Sequence, residues 1–446
     1  MPAGTLLSGL TLGPGLTFSI ACKCSRRSSS PHWLKRLQGR AELRLTVISP
    51  FLDRQHGTEL CIIEQIERLA GKDHWSIELY SQKVSQLNGV RPASAVFANE
   101  PGTIRWHHVS DIPGPHLLKY LWWFFANYWQ RWRDRRSGRV RPDLVYSPGI
   151  NCPDADVIVV HIVFHEFYER VRSELALHRL PLPIWPRAVH RKLYYKLAMF
   201  LEREIYSDPG VRLVAVSSLV AAQLKSHFQR EDVTVIPNAV DTLRFTREER
   251  MAKRNASRQS FSYDEGDFVL LLIGNDWKKK GLDTLLKAIG LRKDIPLRLL
   301  VVGSDAPGLY HQLVDQFALH DRVRFEKPSM DVLFFYAAAD LYVGPSLEDS
   351  FGLPILEAMA CGLPVIASAN AGASELIRDG ETGFILRDPQ DHSELASLIH
   401  RIQGDGTLRR SVGAAASRYV LTNCSWDDNA EKTRQILEST LTSLRI

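Results

Sequence analysis

The chain has 446 residues, 45% hydrophobic and 24% charged, with a formal net charge of +6. That length is more than one core fills and points to two domains of roughly two hundred residues each, while the composition excludes a disordered or low-complexity chain. The mildly basic balance favours anionic substrates or an anionic membrane surface, and six scattered cysteines without zinc-ligand spacing read as reduced thiols.

Residues 1–40 stand apart, with an apolar stretch broken by Gly9, Gly13, Pro14 and Gly15 and then a basic, serine-rich run. Lacking a basic start and an unbroken apolar core, they read as a disordered extension or an early start codon, not an export signal. Residues 43–49 are strand-like and 60–69 carry helical apolar spacing, with Gly57-Thr58 in the loop between. A strand, a glycine-bearing loop and a helix start can hold a phosphate on backbone amides. Further β-rich runs at 75–80, 143–146, 157–160 and 213–216 alternate with helical segments, the pattern of a parallel, doubly wound sheet.

Between these runs, residues 117–132 hold Trp122, Trp123, Phe124, Phe125, Tyr128, Trp129 and Trp132, and six arginines follow within 131–141. A tryptophan-rich helix with a basic end suits an anionic membrane interface; a buried helix followed by a solvated basic linker accounts for it equally, and both readings stay open. No nucleic-acid-binding module accompanies the arginines, so no nucleic-acid partner is expected. Asp154-Ala155-Asp156 could hold a metal, but it precedes its strand, whereas ligands of such sheets gather beyond the strands' carboxyl ends. His161 does follow that strand and could face a cleft; His165 competes with it.

A second strand–helix series follows residues 234–241, with strands expected at 268–273, 297–302, 323–325, 341–343, 365–367 and 383–385. After the first of them comes Gly274-Asn275-Asp276-Trp277-Lys278-Lys279-Lys280-Gly281, where a lysine ammonium can neutralise a diphosphate; Lys278 and Lys279 read as a solvated basic turn. The most informative stretch is 345–368, Pro-Ser-Leu-Glu-Asp-Ser-Phe-Gly-Leu-Pro-Ile-Leu-Glu-Ala-Met-Ala-Cys-Gly-Leu-Pro-Val-Ile-Ala-Ser. Gly352 permits close backbone approach, Pro354 suits a first helical turn, and the helix start offers amides and a positive dipole end to an anion. Carboxylates at Asp349 and Glu357 flank that place and can accept hydrogen bonds from sugar hydroxyls.

This segment resembles the donor-sugar motif of the retaining glycosyltransferases of family four. Glu357 matches the second Glu of the family's pair, and the first falls on Asp349, two residues before Phe351-Gly352 and one methylene shorter than Glu. Glu348 stands beside it as a possible substitute. Lys280 matches the lysine of the family's Gly-Arg-(four residues)-Lys-Gly, with Asn275 in the arginine position after Gly274. Gly57-Thr58 replaces a Gly-Gly pair, and His161 stands where the family commonly has a histidine. The resemblance covers roughly residues 43–430.

It implies an α/β protein of two doubly wound, Rossmann-like domains facing a central cleft (the GT-B fold), with a final helix crossing back. The expected divisions are 1–40 as extension, 41–238 as acceptor-binding domain, 239–426 as nucleotide-sugar-binding domain and 427–446 as returning helix. The implied activity is sugar transfer from a nucleoside-diphosphate sugar to a glycan or lipid-linked acceptor hydroxyl, with retained configuration. Lys280 and the amides of Gly57, Gly352 and Leu353 would hold the diphosphate, Asp349 the donor sugar, Glu357 the ribose and His161 the sugar from the opposite domain. Thr58, Gly274, Asn275, Glu348, Ser350 and Phe351 complete the expected donor site. Chemistry without a metal or other cofactor is expected, in the cytoplasm, with a peripheral place on the inner face of an anionic membrane left open. A catalytically impaired sugar-nucleotide binder and a nucleotide-sugar epimerase remain the alternatives.

Overall fold

The computed structural model describes residues 43–445 apart from 94–101, 141, 174, 180 and 293. The reading of residues 1–40, Cys22 and Cys24 among them, and that of Arg141 fall outside the described residues.

The first half carries β1 (Arg44–Ile48), β2 (Phe51–Leu52), β3 (Ser76–Ser81), β4 (Lys83–Val84), β5 (Val90–Pro92), β6 (Ile104–His108), β7 (Leu144–Pro148), β8 (Val157–Val160), β9 (Arg212–Ala215) and β10 (Thr234–Val235). Apart from a small β2–β4 ribbon these form one sheet, ordered β10-β9-β8-β7-β1-β3-β6-β5. All its pairings are parallel. Its helices are α1 (Gly57–Gly71), α2 (His116–Arg136), α3 (Phe164–Val171), α4 (Trp185–Tyr206) and α5 (Ser218–Phe228).

The second half carries β11 (Phe268–Ile273), β12 (Leu297–Val302), β13 (Val323–Glu326), β14 (Leu341–Gly344), β15 (Val365–Ser368) and β16 (Phe384–Leu386). They form a second parallel sheet, ordered β13-β12-β11-β14-β15-β16. Its helices are α6 (Arg247–Ser260), α7 (Leu282–Gly290), α8 (His311–Phe317), α9 (Leu333–Ala338), α10 (Leu353–Ala360), α11 (His392–Gly404) and α12 (Gly406–Asn423). The last helix, α13 (Trp426–Arg445), crosses back onto the first lobe. There Asn429 Oδ1 accepts from Gln65 Nε2 at 2.9 Å and Asp427 pairs with Arg68 at 2.6 Å. The passage between lobes is pinned by the same helix start, since Asn429 Nδ2 donates to Pro237 O at 2.7 Å.

The apolar runs read from the sequence are these strands, because strands covered on both faces must be apolar on both. β1, β3, β7, β8, β11, β12, β14 and β15 are almost wholly buried. The sequence reading missed β6, Ile-Arg-Trp-His-His, whose polar residues hid its period. Arg105 and His107 of β6 both pair with the buried Glu78 of β3, so charge is satisfied across strands and not by water. β2, β4, β5 and β10 are too short for a periodicity to register.

In both sheets the strand order reverses beside the central strand. In the second it does so between β11 and β14, which are paired directly. Loops leaving neighbouring strands at such a switch point diverge to opposite faces and open a crevice at the carboxyl edge.

Candidate functional site

The loops after β11 and β14 meet in that crevice. Leu347 N–H donates to Lys279 O at 2.7 Å, fixing them backbone to backbone. Gly281 makes this approach possible: its φ is +76°, and a Cβ there would lie 2.0 Å from Pro345 O. Gly274, at φ +145°, likewise clears the stem of Lys280, whose Cε would be 2.7 Å from an added Cβ. The lysine stem thus crosses a glycine, and its ammonium forms an ion pair with Asp349 Oδ2.

Asp349 is held at three other points. Its N–H donates to Asn370 O and its carbonyl accepts from Gly372 N–H, both at 3.0 Å, and Oδ1 accepts from Phe351 N–H at 3.3 Å. Gly352 follows at φ +94°, its Cα facing the Asp349 carboxylate, and α10 starts at Leu353 with no side chain capping it. A first turn without a side-chain cap keeps amides for an anion. One turn further, Glu357 Oε2 accepts from the Tyr336 hydroxyl at 2.7 Å. Desolvation pushes the Glu357 carboxyl up, against the pull of Tyr336 and Arg244.

Beneath both carboxylates lies Tyr342, buried, its hydroxyl kept protonated first by desolvation and then by Asp349 and Glu357. Tyr342 and Tyr336 are part of the site that sequence reasoning missed. They sit in strand- and helix-forming runs, where an aromatic residue carries no signal of its own.

The first lobe reaches this place from three loops. Gly57 opens α1 with its Cα toward Leu353, an added Cβ lying 3.0 Å from Leu353 Cδ1, so the two helix starts face each other across the lobes. Thr58 is half-buried in the same turn. After β9, Ser217 Oγ donates to Ser350 O at 2.7 Å, so Ser350 meets the first lobe through its backbone. After β8 comes His161, 7% exposed, with Nε2 lacking a hydrogen-bond partner among the described residues. Burial lowers it to about 4, leaving the ring neutral near pH 7. His165 is otherwise engaged: its Nδ1 lies 2.8 Å from Glu202, whose carboxylate also accepts the first amides of α3, Phe164 N–H at 2.6 Å and His165 N–H at 3.0 Å.

The remaining expected residues have different duties. Phe351 is 3% exposed and packs in the core. Glu348 turns to the first lobe, its Oε2 3.6 Å from Arg170 Nε, and not toward Lys280. Asn275 Oδ1 accepts from Ser304 N–H at 3.0 Å, tying the loops after β11 and β12. The cation absent at that position is not replaced by Arg54, which is spent on Glu64 and Glu67. Lys279, expected as a solvated turn residue, is instead half-buried with its Nζ 3.6 Å from the Phe167 ring centroid, and desolvation lowers its pKa. Asp154 forks onto Arg131 at 2.8 Å and Asp156 accepts from Val145 N–H at 2.7 Å, so both acids of the Asp-x-Asp are structural.

Comparison with known proteins divides the chain the same way. Residues 55–244 match the model described as Glycosyltransferase Family 4, and 253–419 the model described as Glycosyl transferases group 1. A D-inositol 3-phosphate glycosyltransferase of Pseudarthrobacter chlorophenolicus is 33% identical over 51% of this chain and 55% of its own length. The lipopolysaccharide glucosyltransferase WaaG of Escherichia coli is 26% identical over 51% of this chain and 63% of its own. The chain thus spans about half the length of the first of these relatives. The solved structure of WaaG superposes with a TM-score of 0.69 at 20% identity, covering 88% of this chain and 99% of that one. Anabaena HepE in complex with UDP and glucose does so at 0.65 and 18%, covering 89% and 100%. At such identities these two establish the fold.

Proposed function

The chain belongs to the family-four, group 1 glycosyltransferases, and from that premise we propose that it transfers a sugar, with retention, from a nucleoside-diphosphate donor to an acceptor hydroxyl in glycan, lipopolysaccharide or glycolipid synthesis. One observation carries the reading: Lys280 and Asp349 meet beside the start of α10, opposite Gly57 of the other lobe. Residues 41–238 serve as the acceptor domain and 239–426 as the donor domain.

In this reading the donor diphosphate takes Lys280 from Asp349 and rests on the amides at Gly57, Gly352 and Leu353. Asp349, released from the lysine, accepts from a sugar hydroxyl; Glu357, held by Tyr336, accepts from the ribose; neutral His161 turns to the sugar from the first lobe. The bond from the anomeric carbon to the diphosphate oxygen breaks as the acceptor oxygen bonds that carbon, and the acceptor proton passes to the departing phosphate. A fixed cation and helix-start amides stabilise the growing charge without reorganising, so a metal is not needed. The setting is the cytoplasm, with the acceptor lipid-linked or a glycan and the enzyme peripheral on the membrane's inner face.

The test is a screen of nucleotide sugars with and without candidate acceptors, following free nucleoside diphosphate in the presence of EDTA. Release that depends on an acceptor supports transfer. Tight donor binding with no turnover would sink it in favour of a binding protein, the reading that Asn275 in the arginine position favours; donor conversion without an acceptor would mean epimerisation.

A further inference from the structure

Helix α2 is built inside out. Its protein-facing side carries Trp123, Asn127, Arg131 and Asp134, all buried. The polar groups of Asn127, Arg131 and Asp134 are satisfied there: Asn127 Nδ2 donates to Trp123 O at 2.7 Å, Arg131 forks onto Asp154, and Asp134 accepts from the Tyr80 hydroxyl at 3.1 Å. Its solvent side carries Leu118, Leu121, Phe125, Tyr128, Trp129 and Trp132, between 39% and 59% exposed. Leu118, Leu121, Phe125, Trp129 and Trp132 recur at steps of three and four residues with Tyr128 beside them, one continuous stripe along the helix. Phe125 stacks on Trp129 at 6.4 Å, Trp129 on Trp132 at 5.0 Å, and the Arg136 guanidinium sits 4.8 Å above Trp132.

Turning its apolar side inward would pull Arg131 and Asp134 off Asp154 and the Tyr80 hydroxyl, their partners on the protein side. The stripe therefore faces outward by construction, and a contiguous apolar patch of this kind marks a contact surface. Its charges choose the partner. Arg133 and Arg136 are exposed at its end, while the one acid of α2, Asp134, is buried. A second copy of this helix would offer the arginines no acid, whereas an anionic bilayer offers lipid phosphates. Tryptophan and tyrosine favour that interfacial layer, where one side of the ring is apolar and the other wet. Among the described residues no helix is long and apolar enough to cross a membrane, so α2 would lie in the surface plane.

We propose that the outward stripe of α2 docks this protein on an anionic lipid bilayer. Because α2 descends from the carboxyl end of β6 and leads back to β7, its first turn lies at the sheet edge where the candidate site opens. Docking along the stripe sets that edge beside the lipid surface, which suits a lipid-linked acceptor. Only this last point rests on the glycosyl-transfer reading; the contact itself does not.

The experiment is cosedimentation of the full chain with vesicles of phosphatidylcholine alone and of an equimolar mixture with phosphatidylglycerol. The expected result is partition onto the anionic vesicles only, lost in Trp129→Glu/Trp132→Glu and weakened roughly tenfold or more in Arg133→Glu/Arg136→Glu. Both pairs are surface changes, and an unchanged thermal melt and nucleoside-diphosphate binding show that the fold stands; the charge-reversal pair carries the test should the aromatic pair unfold. No partition onto anionic vesicles, or partition both pairs leave intact, overturns the proposal. So does a dimer in solution that Trp129→Glu/Trp132→Glu dissolves, since a second copy would then cover the stripe. Loss of sugar transfer with vesicle binding retained would count against the proposed function alone.

Discussion

The two lobes share a sheet plan but place their charges differently. In the second, the informative side chains are locked to one another: Lys280 to Asp349, Glu357 to Tyr336, with Tyr342 beneath. In the first, polar groups are buried for architecture, as Arg131 with Asp154 and His165 with Glu202, while His161 keeps an unpartnered nitrogen and α2 shows its aromatics outward. On the proposed reading, the lobe that holds a charged donor is preorganised around it, and the lobe that meets an acceptor and a lipid surface leaves groups open.

The sharpest way to break this contrast is Lys280→Ala. If the pair is a resting state that the donor diphosphate opens, kcat for donor turnover should fall about 10²- to 10³-fold with the fold intact, the usual cost of removing one preorganised charge. An activity within a few-fold of the parent chain would place the leaving group elsewhere.

Next is the buried charge of the first lobe. Arg131→Met strips the fork from Asp154, which keeps Arg135 at 3.3 Å, and should lower unfolding free energy by about 2 kcal/mol, read from denaturant curves. Trp132→Glu on the opposite side of the same helix should shift it by no more than about 0.5 kcal/mol.

His161 supplies a pH signature. Its pKa is lowered from 6.5 to about 4 in the folded chain, so the unfolded chain binds the proton more readily between those values. The stability that the buried neutral ring contributes is therefore complete above pH 6.5 and is lost as pH falls toward about 4. His161→Gln should flatten the acid limb of the stability curve in that window, by up to about 3 kcal/mol at its foot. Identical acid limbs for the two chains would show that the ring is hydrated.

The smallest effect is expected from Asn275→Arg. Restoring a cation beside Lys280 should raise donor turnover a few-fold, at the cost of the Asn275–Ser304 tie; a fall in turnover would show that the tie matters more than the charge.

Much of this was legible beforehand. The apolar runs became the central strands within a residue or so, because strands covered on both faces admit little else. The Gly/Pro/acid spacing of 345–368 became a strand, loop and helix start, since glycine at positive φ and proline in a first turn answer local geometric demands. Where side chains meet across elements the pattern is silent: β6 is masked by residues that pair with Glu78, and Lys279, which reads as a solvated turn residue, lies against Phe167 of the other lobe.

The aromatic helix shows where the division lies. Sequence alone determined that residues 117–132 would be helical, rich in aromatics and followed by arginines, and that a helix would begin just after Gly352. It could not say which side of that helix faces the sheet, for the hydrophobic effect alone would have turned the tryptophans inward. Tertiary structure decided it, because Arg131 and Asp134 find their partners in Asp154 and the Tyr80 hydroxyl on the protein side, and a buried guanidinium or carboxylate without a partner costs more than exposed aromatic surface. The pairing of Lys280 with Asp349 was settled in the same way, by the reversal of strand order that sets the loops after β11 and β14 side by side.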